Sequence, residues 1–388
     1  MSASYAIAQK ESNEGRPPAA PAPAPTAVEF HYRQTDSFVA LLRQLGASLL
    51  VTTYQANKLL VVRETQGGLS TLVRTFERPM GLAVDGRRLA LGTRNQVWLL
   101  RNAPDIAPRV EPAGQHDACY LPRSCHVTGD IGGHEIAWAG KELWIVNTRF
   151  SCLCTLDPDY SFVPRWRPPF VTALAADDRC HLSGLCMREA QSAESGAQDN
   201  GAPRSALCAP RYVTALGETD TRGGWRADKA KGGCLIDVPS GEVVARGLSM
   251  PHSPRLHDGR LWLLESGTGR LVIVDTTSGR WETVAELPGF TRGLAIHGPY
   301  AFIGLSKIRE TATFGGLPIA ERLGELKCGV AVVDLRRGQV VGLLEFQTAV
   351  EEIFAVQVLP GLRFPEVMGF QQETIQHTFL VPPVLPDP

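Results

Sequence analysis

Two stretches of the chain repeat each other without a gap: HEIAWAGKELWIVNTRFSCLCTLD at residues 134–157 and HSPRLHDGRLWLLESGTGRLVIVD at residues 252–275. Equivalent positions carry similar residues in four pairs: His134 and His252, Trp144 and Trp262, Thr148 and Ser266, and Asp157 and Asp275. Both stretches are short apolar runs cut by glycine and aspartate, a pattern typical of short strands joined by turns. The pair therefore predicts a repeated unit of antiparallel strands.

Further copies of the unit extend the repeat along the chain. RGLAIHGPYAFIGLS at 292–306 puts Arg292 in the histidine position and Ser306 in the hydroxyl position, and shorter or weaker copies begin at Met80, His181 and Glu352. We call the first position of the repeat the slot. Six residues occupy it: Met80, His134, His181, His252, Arg292 and Glu352. Their mean spacing is close to the roughly 40–50 residues of a four-stranded propeller blade.

Six copies predict an all-β fold, a six-bladed β-propeller that spans residues 29–365. Turn signals mark the hairpins at Asp85-Gly86, Ala139-Gly140, Ser240-Gly241, Asp258-Gly259 and Ser278-Gly279. The strands that start near Ser48 are expected to complete the blade whose inner strand begins at Glu352. One short helix is predicted from an N-cap at Asp36 to Gly46, and the stretch at 189–209 is predicted to be a loop insertion in the third blade.

The two ends of the chain are predicted to lie outside the propeller. Residues 1–28 are rich in proline and alanine, so we expect a disordered arm. Residues 366–388 are predicted to form a C-terminal tail on the surface.

Composition narrows the partners and the compartment. The net charge is −1, which leaves no basic footprint for nucleic acid. There is no run of 18 apolar residues, so we expect no membrane partner. The nine cysteines are an odd number without framework spacing, which favours reduced thiols in a cytoplasmic protein. Cys152 and Cys154 are expected to be buried small hydrophobes rather than metal ligands.

The slot carries the candidate chemistry, because the innermost strands of a propeller begin together at one mouth of the central tunnel. His134, His181 and His252 are expected to bind one transition-metal ion, with iron or copper favoured and zinc possible on this ligand set. Glu352 is predicted as a fourth ligand or a general base. Arg292 is predicted to hold a substrate carboxylate. The alternative for these two charged residues is an ion pair with each other.

Other residues are assigned supporting roles around that mouth. Asp178 is expected to orient His181, and His126 is a second supporting candidate, although a turn former and a loop histidine are the ordinary roles of such residues. Arg149, Arg167 and Tyr54 are predicted to line a cleft for a small-molecule or peptide substrate. Packing between blades explains such arginines and aromatic residues equally well.

Seven phrases resemble a bacterial family of conserved hypothetical proteins with a domain of unknown function. They are TTYQANKL, VNTRFSCL, RWRPPF, DRCHLSGL, GLSMPHSPR, PGFTRGLA and GLSKIRE, and the resemblance runs from about Phe30 to Pro365. It implies a propeller, and it places the histidine-bearing phrases of the family on His134, His181 and His252. Asn57, where glycine is expected, and the insertion at 189–209 depart from the pattern.

The first functional hypothesis is a metal-dependent enzyme with three histidines at the propeller axis, an iron or copper oxygenase or hydroxylase acting on a peptide or small molecule. It is similar in arrangement to propeller enzymes that hold a catalytic metal on the axis. A zinc-dependent lyase or hydrolase is the first alternative. A non-catalytic propeller that binds a protein or peptide partner is the second.

Overall fold

The computed structural model describes residues 30–188, 209–308, 315–322, 324–370 and 373–381. The predicted arm at 1–28 and nearly all of the predicted insertion lie outside the described residues. Within them the chain forms six antiparallel sheets of four principal strands each. Each sheet packs against the next one around a central axis, so the predicted all-β, six-bladed propeller is confirmed.

The strands follow one another along the chain in a simple order. The chain begins with β1 (Tyr32–Gln34), α1 (Asp36–Leu45), β2 (Ala47–Thr53), β3 (Lys58–Thr65) and β4 (Gly68–Thr75). Blade 1 contains β5 (Leu82–Val84), β6 (Arg88–Gly92), β7 (Gln96–Asn102) and β8 (Ala118–Val127). Blade 2 contains β9 (Gly133–Ala139), β10 (Glu142–Asn147), β11 (Cys152–Asp157) and β12 (Tyr160–Trp166).

The next three blades repeat this order. Blade 3 contains β13 (Leu182–Met187), β14 (Pro210–Ala215), β15 (Gly233–Asp237) and β16 (Val243–Leu248). Blade 4 contains β17 (Pro251–His257), β18 (Arg260–Glu265), β19 (Arg270–Val274) and β20 (Trp281–Glu286). Blade 5 contains β21 (Phe290–His297), β22 (Tyr300–Ser306), β23 (Gly329–Asp334) and β24 (Gln339–Phe346), with α2 (Pro318–Arg322) between β22 and β23.

Blade 6 closes the propeller with strands from both ends of the domain. Its innermost strand is β25 (Ala355–Pro360), which pairs with β2, so that Val51 lies opposite Val356. Strands β3 and β4 complete the sheet. This is the closure that the sequence predicts, and it makes the last blade depend on residues about 300 positions apart. Such a pairing removes the free edges that an open ring would expose.

Short end segments add a fifth strand to two blades. β1 pairs with β24 on the outer edge of blade 5. β26 (Pro365–Val367) pairs in parallel with β8 on the outer edge of blade 1. Val367 is fully buried, so the packed fold continues beyond the predicted boundary at residue 365.

Helix α1 packs over the junction of blades 5 and 6. Its N-cap is Thr35, whose hydroxyl accepts a hydrogen bond from the Phe38 amide, and its C-terminal cap is Gly46 in the left-handed conformation. The predicted N-cap, Asp36, is instead the first helical residue, because the Thr35 hydroxyl reaches the third amide of the helix. Phe38 and Leu42 are buried in the apolar cluster beneath.

Turns and interfaces between blades follow the sequence pattern. The glycines of the five predicted hairpin turns all have positive φ. An apolar cluster fills each of the six contacts between neighbouring blades. Cys152 and Cys154 lie in the cluster between blades 1 and 2, as expected for small buried side chains. Among the described helices, none has the length and hydropathy needed to cross a bilayer.

The closure strand is expected to control stability. Leu49 on β2 is fully buried between blades 5 and 6, so Leu49→Ala should lower the free energy of unfolding by about 2–5 kcal/mol. Leu174, which is 45% exposed, provides the matched control, and Leu174→Ala should change it by less than about 0.5 kcal/mol. Urea denaturation followed by tryptophan fluorescence measures both. Equal effects of the two substitutions would contradict the assigned closure.

Candidate functional site

All six slot residues line one cavity of about 290 Å³ at the mouth of the central tunnel. His134, His252 and Arg292 lie at the second or third residue of β9, β17 and β21, and the other three precede the innermost strand of their blade. Segments far apart in sequence therefore meet at one place because each blade starts its inner strand at the same level. The repeat alignment predicts this convergence.

Two of the three imidazoles are in direct contact. Nε2 of His134 lies 3.2 Å from Nε2 of His181, and their rings are almost perpendicular, with centroids 4.8 Å apart. The ring of His252 is nearly parallel to that of His134, at 6.5 Å between centroids. His134 thus contacts His181 directly and lies farther from His252.

The Nδ1 atoms of His134 and His252 are held in the same way in two different blades. Nδ1 of His134 lies 3.0 Å from the carbonyl oxygen of Gly132 and 2.8 Å from the Thr148 hydroxyl. Nδ1 of His252 lies 2.9 Å from the carbonyl oxygen of Met250. It lies 2.9 Å from the Ser266 hydroxyl as well. A carbonyl oxygen can only accept, so both Nδ1 atoms carry the proton.

The two hydroxyls also join neighbouring blades. Thr148 donates to the carbonyl oxygen of Leu182 in blade 3 at 2.6 Å. Ser266 donates to the carbonyl oxygen of Thr291 in blade 5 at 2.5 Å. Since each hydroxyl proton is used in this bond, each oxygen accepts from the imidazole. Buried hydroxyls cross three other blade junctions in the same way, from Ser183 to Pro251, from Ser306 to Ile353 and from Thr52 to Met80.

His181 is held by a carboxylate instead of a hydroxyl. Its Nδ1 lies 2.9 and 3.0 Å from the two oxygens of Asp178. The indole of Trp225 donates to the same carboxylate at 3.0 Å, and its ring lies 4.4 Å from that of His181. Asp178 therefore lies beside His181, as predicted, and the Nδ1 of His181 also carries a proton.

The backbone around these residues is unusual. Asp178 and His181 have φ values of 49° and 52°, and Met250 and Ser253, on either side of His252, have φ values of 46° and 50°. Left-handed backbone is uncommon outside glycine and is found often at functional sites, where surrounding packing maintains it.

This arrangement leaves two lone pairs directed at each other. With Nδ1 protonated in His134 and in His181, each Nε2 is an acceptor in the neutral ring. Two acceptors 3.2 Å apart repel unless a proton or a cation lies between them. The pair therefore has the chemistry of a site for a positively charged species.

A proton is poorly suited to His134. Burial, reinforced by the charge of Arg292, lowers its pKa well below the ordinary value of 6.5. Burial and Arg292 lower the pKa of His252 in the same direction. Both rings are thus neutral near pH 7, which is the form that binds metal ions.

Arg292 and Glu352 form the charged part of the cavity wall. The Arg292 guanidinium lies 3.5 Å from the Glu352 carboxylate and 3.5 Å above the ring of Phe354. Arg292 is only 8% exposed, and burial lowers its pKa to about 10, so it keeps its charge near neutral pH. The simple ion pair that the sequence allowed for these two residues is present, although it is long.

The tunnel is crossed by an ion pair beside the cavity. Glu135 on β9 contacts Arg255 on β17. Glu135 also accepts from the Leu185 amide at 2.8 Å, and Arg255 donates to the carbonyl oxygens of Leu185 and Leu294. The pair thereby connects blades 2, 3, 4 and 5. This network partly fills the tunnel, and the space beside it measures about 10 Å³, so the cavity has little depth beyond it.

A wider vestibule of about 670 Å³ adjoins the cavity and shares Tyr54, His134 and His181 with it. Arg149 lines this vestibule and pairs with Asp130 at 3.3 Å. Tyr54 and Arg149 therefore lie beside the cavity, at the predicted mouth of the tunnel.

Two predicted residues lie elsewhere. Arg167 follows the outer strand β12, is exposed, and is absent from the lining of the cavity and of the vestibule. His126 lies on the outer strand β8, where its Nε2 is 3.0 Å from the Ser161 carbonyl oxygen. Both corrections have one cause: outer strands are farthest from the axis.

Four neighbours of the site are missing from the sequence prediction: Glu135, Trp225, Arg255 and Phe354. The sequence contained one indication of Glu135 and Arg255. Each is a charged residue within an innermost strand, and such a residue needs a buried partner. Among the described residues, no group of three His, Cys, Asp or Glu side chains is placed to hold a metal ion as it stands. The three histidines expected to bind one metal ion are thus arranged as a contacting pair, His134 and His181, with the ring of His252 farther away.

Comparison with known proteins gives a family. The sequence profile of the family described as Domain of unknown function (DUF4915) matches residues 36–368. No curated protein matches the chain. A chain of the structure titled "Crystal structure of Nidogen/Laminin Complex" is similar at 10% identity and a TM-score of 0.49, over 81% of this chain and 99% of that one. A protein of unknown function from Bacteroides caccae is similar at 10% identity and a TM-score of 0.48, over 81% and 98%.

The neutral buried histidines predict a pH-dependent stability in chelator-treated protein. The pKa values of His134 and His252 are lower in the folded than in the unfolded chain. Their contribution to the free energy of unfolding is therefore fully present above about pH 6.5. At lower pH the free energy of unfolding should decrease by up to about 1.4 kcal/mol per pH unit for each of these histidines. His252→Gln should reduce this slope, whereas His297→Gln, at the end of β21 and outside the cavity lining, should not. Urea denaturation from pH 5 to 8 measures it, and identical slopes in all three proteins would refute the assignment.

Proposed function

This chain belongs to the family described as Domain of unknown function DUF4915, and we propose from its own cavity that it is a metal-dependent enzyme acting on a small molecule or a peptide side chain. The observation that carries the proposal is the pair of imidazole nitrogens of His134 and His181 at 3.2 Å. Both rings carry a proton on Nδ1, which leaves Nε2 as the possible ligand atom, and both line one cavity.

The separation of the two nitrogens fits a shared metal ion. Two nitrogens bound tetrahedrally to one zinc ion at about 2.0–2.1 Å are about 3.3–3.4 Å from each other. The hydrogen bonds on the opposite ring nitrogens match the way in which proteins orient metal-binding histidines, with a carboxylate or a carbonyl oxygen as the acceptor. Asp178 supplies the carboxylate and Gly132 the carbonyl oxygen.

His252 is the third ligand in this proposal. Its Nδ1 is held like that of His134, and its ring lines the same cavity. Catalytic metal sites commonly use three protein ligands and keep a further position open for water or substrate. The outlying position of the His252 ring predicts that it contributes less to metal affinity than the contacting pair.

An iron or copper ion in this place would supply redox chemistry, and a zinc ion would polarise a carbonyl group or a water molecule. We favour an iron- or copper-dependent oxygenase or hydroxylase. The residue best placed as a base for zinc-assisted hydrolysis, Glu352, is paired with Arg292, so its carboxylate is already engaged by a cation.

The size of the cavity limits the substrate. About 290 Å³ lies at the lower end of the range for small-molecule sites. Phe290, Phe354 and Trp225 supply apolar walls. The vestibule of about 670 Å³ would hold the remainder of a longer substrate.

Elemental analysis of protein made without a histidine tag tests the proposal directly. The native chain should retain stoichiometric iron or copper, or bind zinc after chelator treatment. Asp178→Asn should weaken metal affinity by about 10–100-fold, and His134→Ala and His181→Ala should weaken it further because each removes a ligand.

His126→Ala is the matched control, since His126 lies on an outer strand. It should leave metal content unchanged. Negligible metal in the native protein under all loading conditions, or equal affinity in the native, His181→Ala and His126→Ala proteins, would overturn the proposal.

A further inference from the structure

We infer that the substrate carries a carboxylate, which binds the guanidinium edge of Arg292 while a neighbouring oxygen or nitrogen of the same molecule reaches the metal. This inference rests on the proposed function, because it uses the charge of the bound ion. It assigns the substrate to the class of small carboxylates with an adjacent donor atom.

The first support is the state of Arg292. A guanidinium has five N–H donors, and among the described residues one hydrogen bond, of 3.5 Å, joins Arg292 to an acceptor. The side chain is nevertheless almost completely buried and lines the cavity. Among the described residues, no Arg292 nitrogen is both buried and without a partner, so its remaining donors open onto the cavity, where an anionic ligand can accept from them.

The second support is the orientation of the guanidinium. Its central carbon lies 3.5 Å above the ring of Phe354, and stacking on an aromatic face leaves the donor edge of the fork available. A planar carboxylate matches that edge with two parallel hydrogen bonds. The present partner, Glu352, is itself a carboxylate, so a substrate carboxylate offers the same chemistry at shorter range.

The third support is the charge balance of the cavity. Among the described residues, its lining contains two arginines and two carboxylates, which form the pairs Arg94 with Asp130 at 3.6 Å and Arg292 with Glu352 at 3.5 Å. The three imidazoles act as neutral ligands. A divalent ion would therefore leave the cavity with an excess positive charge, and burial makes an uncompensated charge costly. An anionic substrate offsets that charge.

One aromatic ring relates the anion site to the metal ligands. Phe354 lies under Arg292 and also contacts His134, with ring centroids 5.3 Å apart. A small molecule that occupies the cavity can therefore reach Arg292 with one group and the His134–His181 pair with another.

The test uses glycolate, a carboxylate with an adjacent hydroxyl, and glycolamide, its neutral analogue of similar size. Isothermal titration of the metal-loaded native protein should detect glycolate binding and at least about tenfold weaker glycolamide binding. Arg292→Gln should weaken glycolate binding by about 10–100-fold while the metal content stays unchanged. Arg167→Gln, an exposed arginine outside the cavity, should bind glycolate like the native protein.

Arg292→Lys is the control for misfolding, because lysine keeps the buried positive charge but lacks the paired donors of the guanidinium. It should retain native thermal unfolding and metal content and still bind glycolate more weakly than the native protein. Equal glycolate affinity in native, Arg292→Gln and Arg292→Lys proteins that all contain metal would overturn this inference and leave the proposed function standing. A native protein that binds no metal would overturn both.

Discussion

The site depends on a buried hydroxyl that holds a histidine ring and joins two blades at once. Thr148 and Ser266 each accept a hydrogen bond from the Nδ1 of a slot histidine and donate to a carbonyl oxygen of the following blade. The contact between blades and the tautomer of the histidine are thereby decided by the same group. A neutral ring with Nδ1 protonated has an unprotonated Nε2, so the contact between blades decides which ring nitrogen of the histidine can act as an acceptor.

Contacts between blades also stabilise the charges that are buried at the tunnel mouth. Arg292 is stabilised by Glu352 and by the face of Phe354, and its positive charge in turn helps to keep His134 and His252 neutral. The ion pair of Glu135 with Arg255 spans the tunnel beside the cavity and binds backbone groups of two further blades. Each of these charges has a partner on another blade, so the electrostatics of the site require the closed ring.

Much of this was predictable because the repeat preserves spacing. His134 and His252 align without a gap, and so do Thr148 and Ser266, which made the slot and its hydroxyl visible before any fold was known. The contact of Asp178 with His181 could be predicted because the two residues lie three positions apart in the sequence. Other features were hidden because they depend on where outer strands and loops pack. Trp225 reaches Asp178 from a short 3-10 helix after β14, and no local pattern announces that contact. The predicted position of His126 was wrong because His126 lies on the outer strand β8, whereas His134, although close in sequence, lies on the inner strand β9 of the next blade.

The chemistry proposed for the cavity requires that His134, His181 and His252 all carry a proton on Nδ1 and direct Nε2 into it. Long-range proton–nitrogen correlation NMR of metal-free, nitrogen-15-labelled protein near pH 7 reads the tautomer of each ring, with single His→Gln variants for assignment. We expect a protonated Nδ1 in all three rings. A neutral ring with its proton on Nε2 in His134 or His181 would contradict this expectation, because that proton would occupy the space assigned to the metal ion.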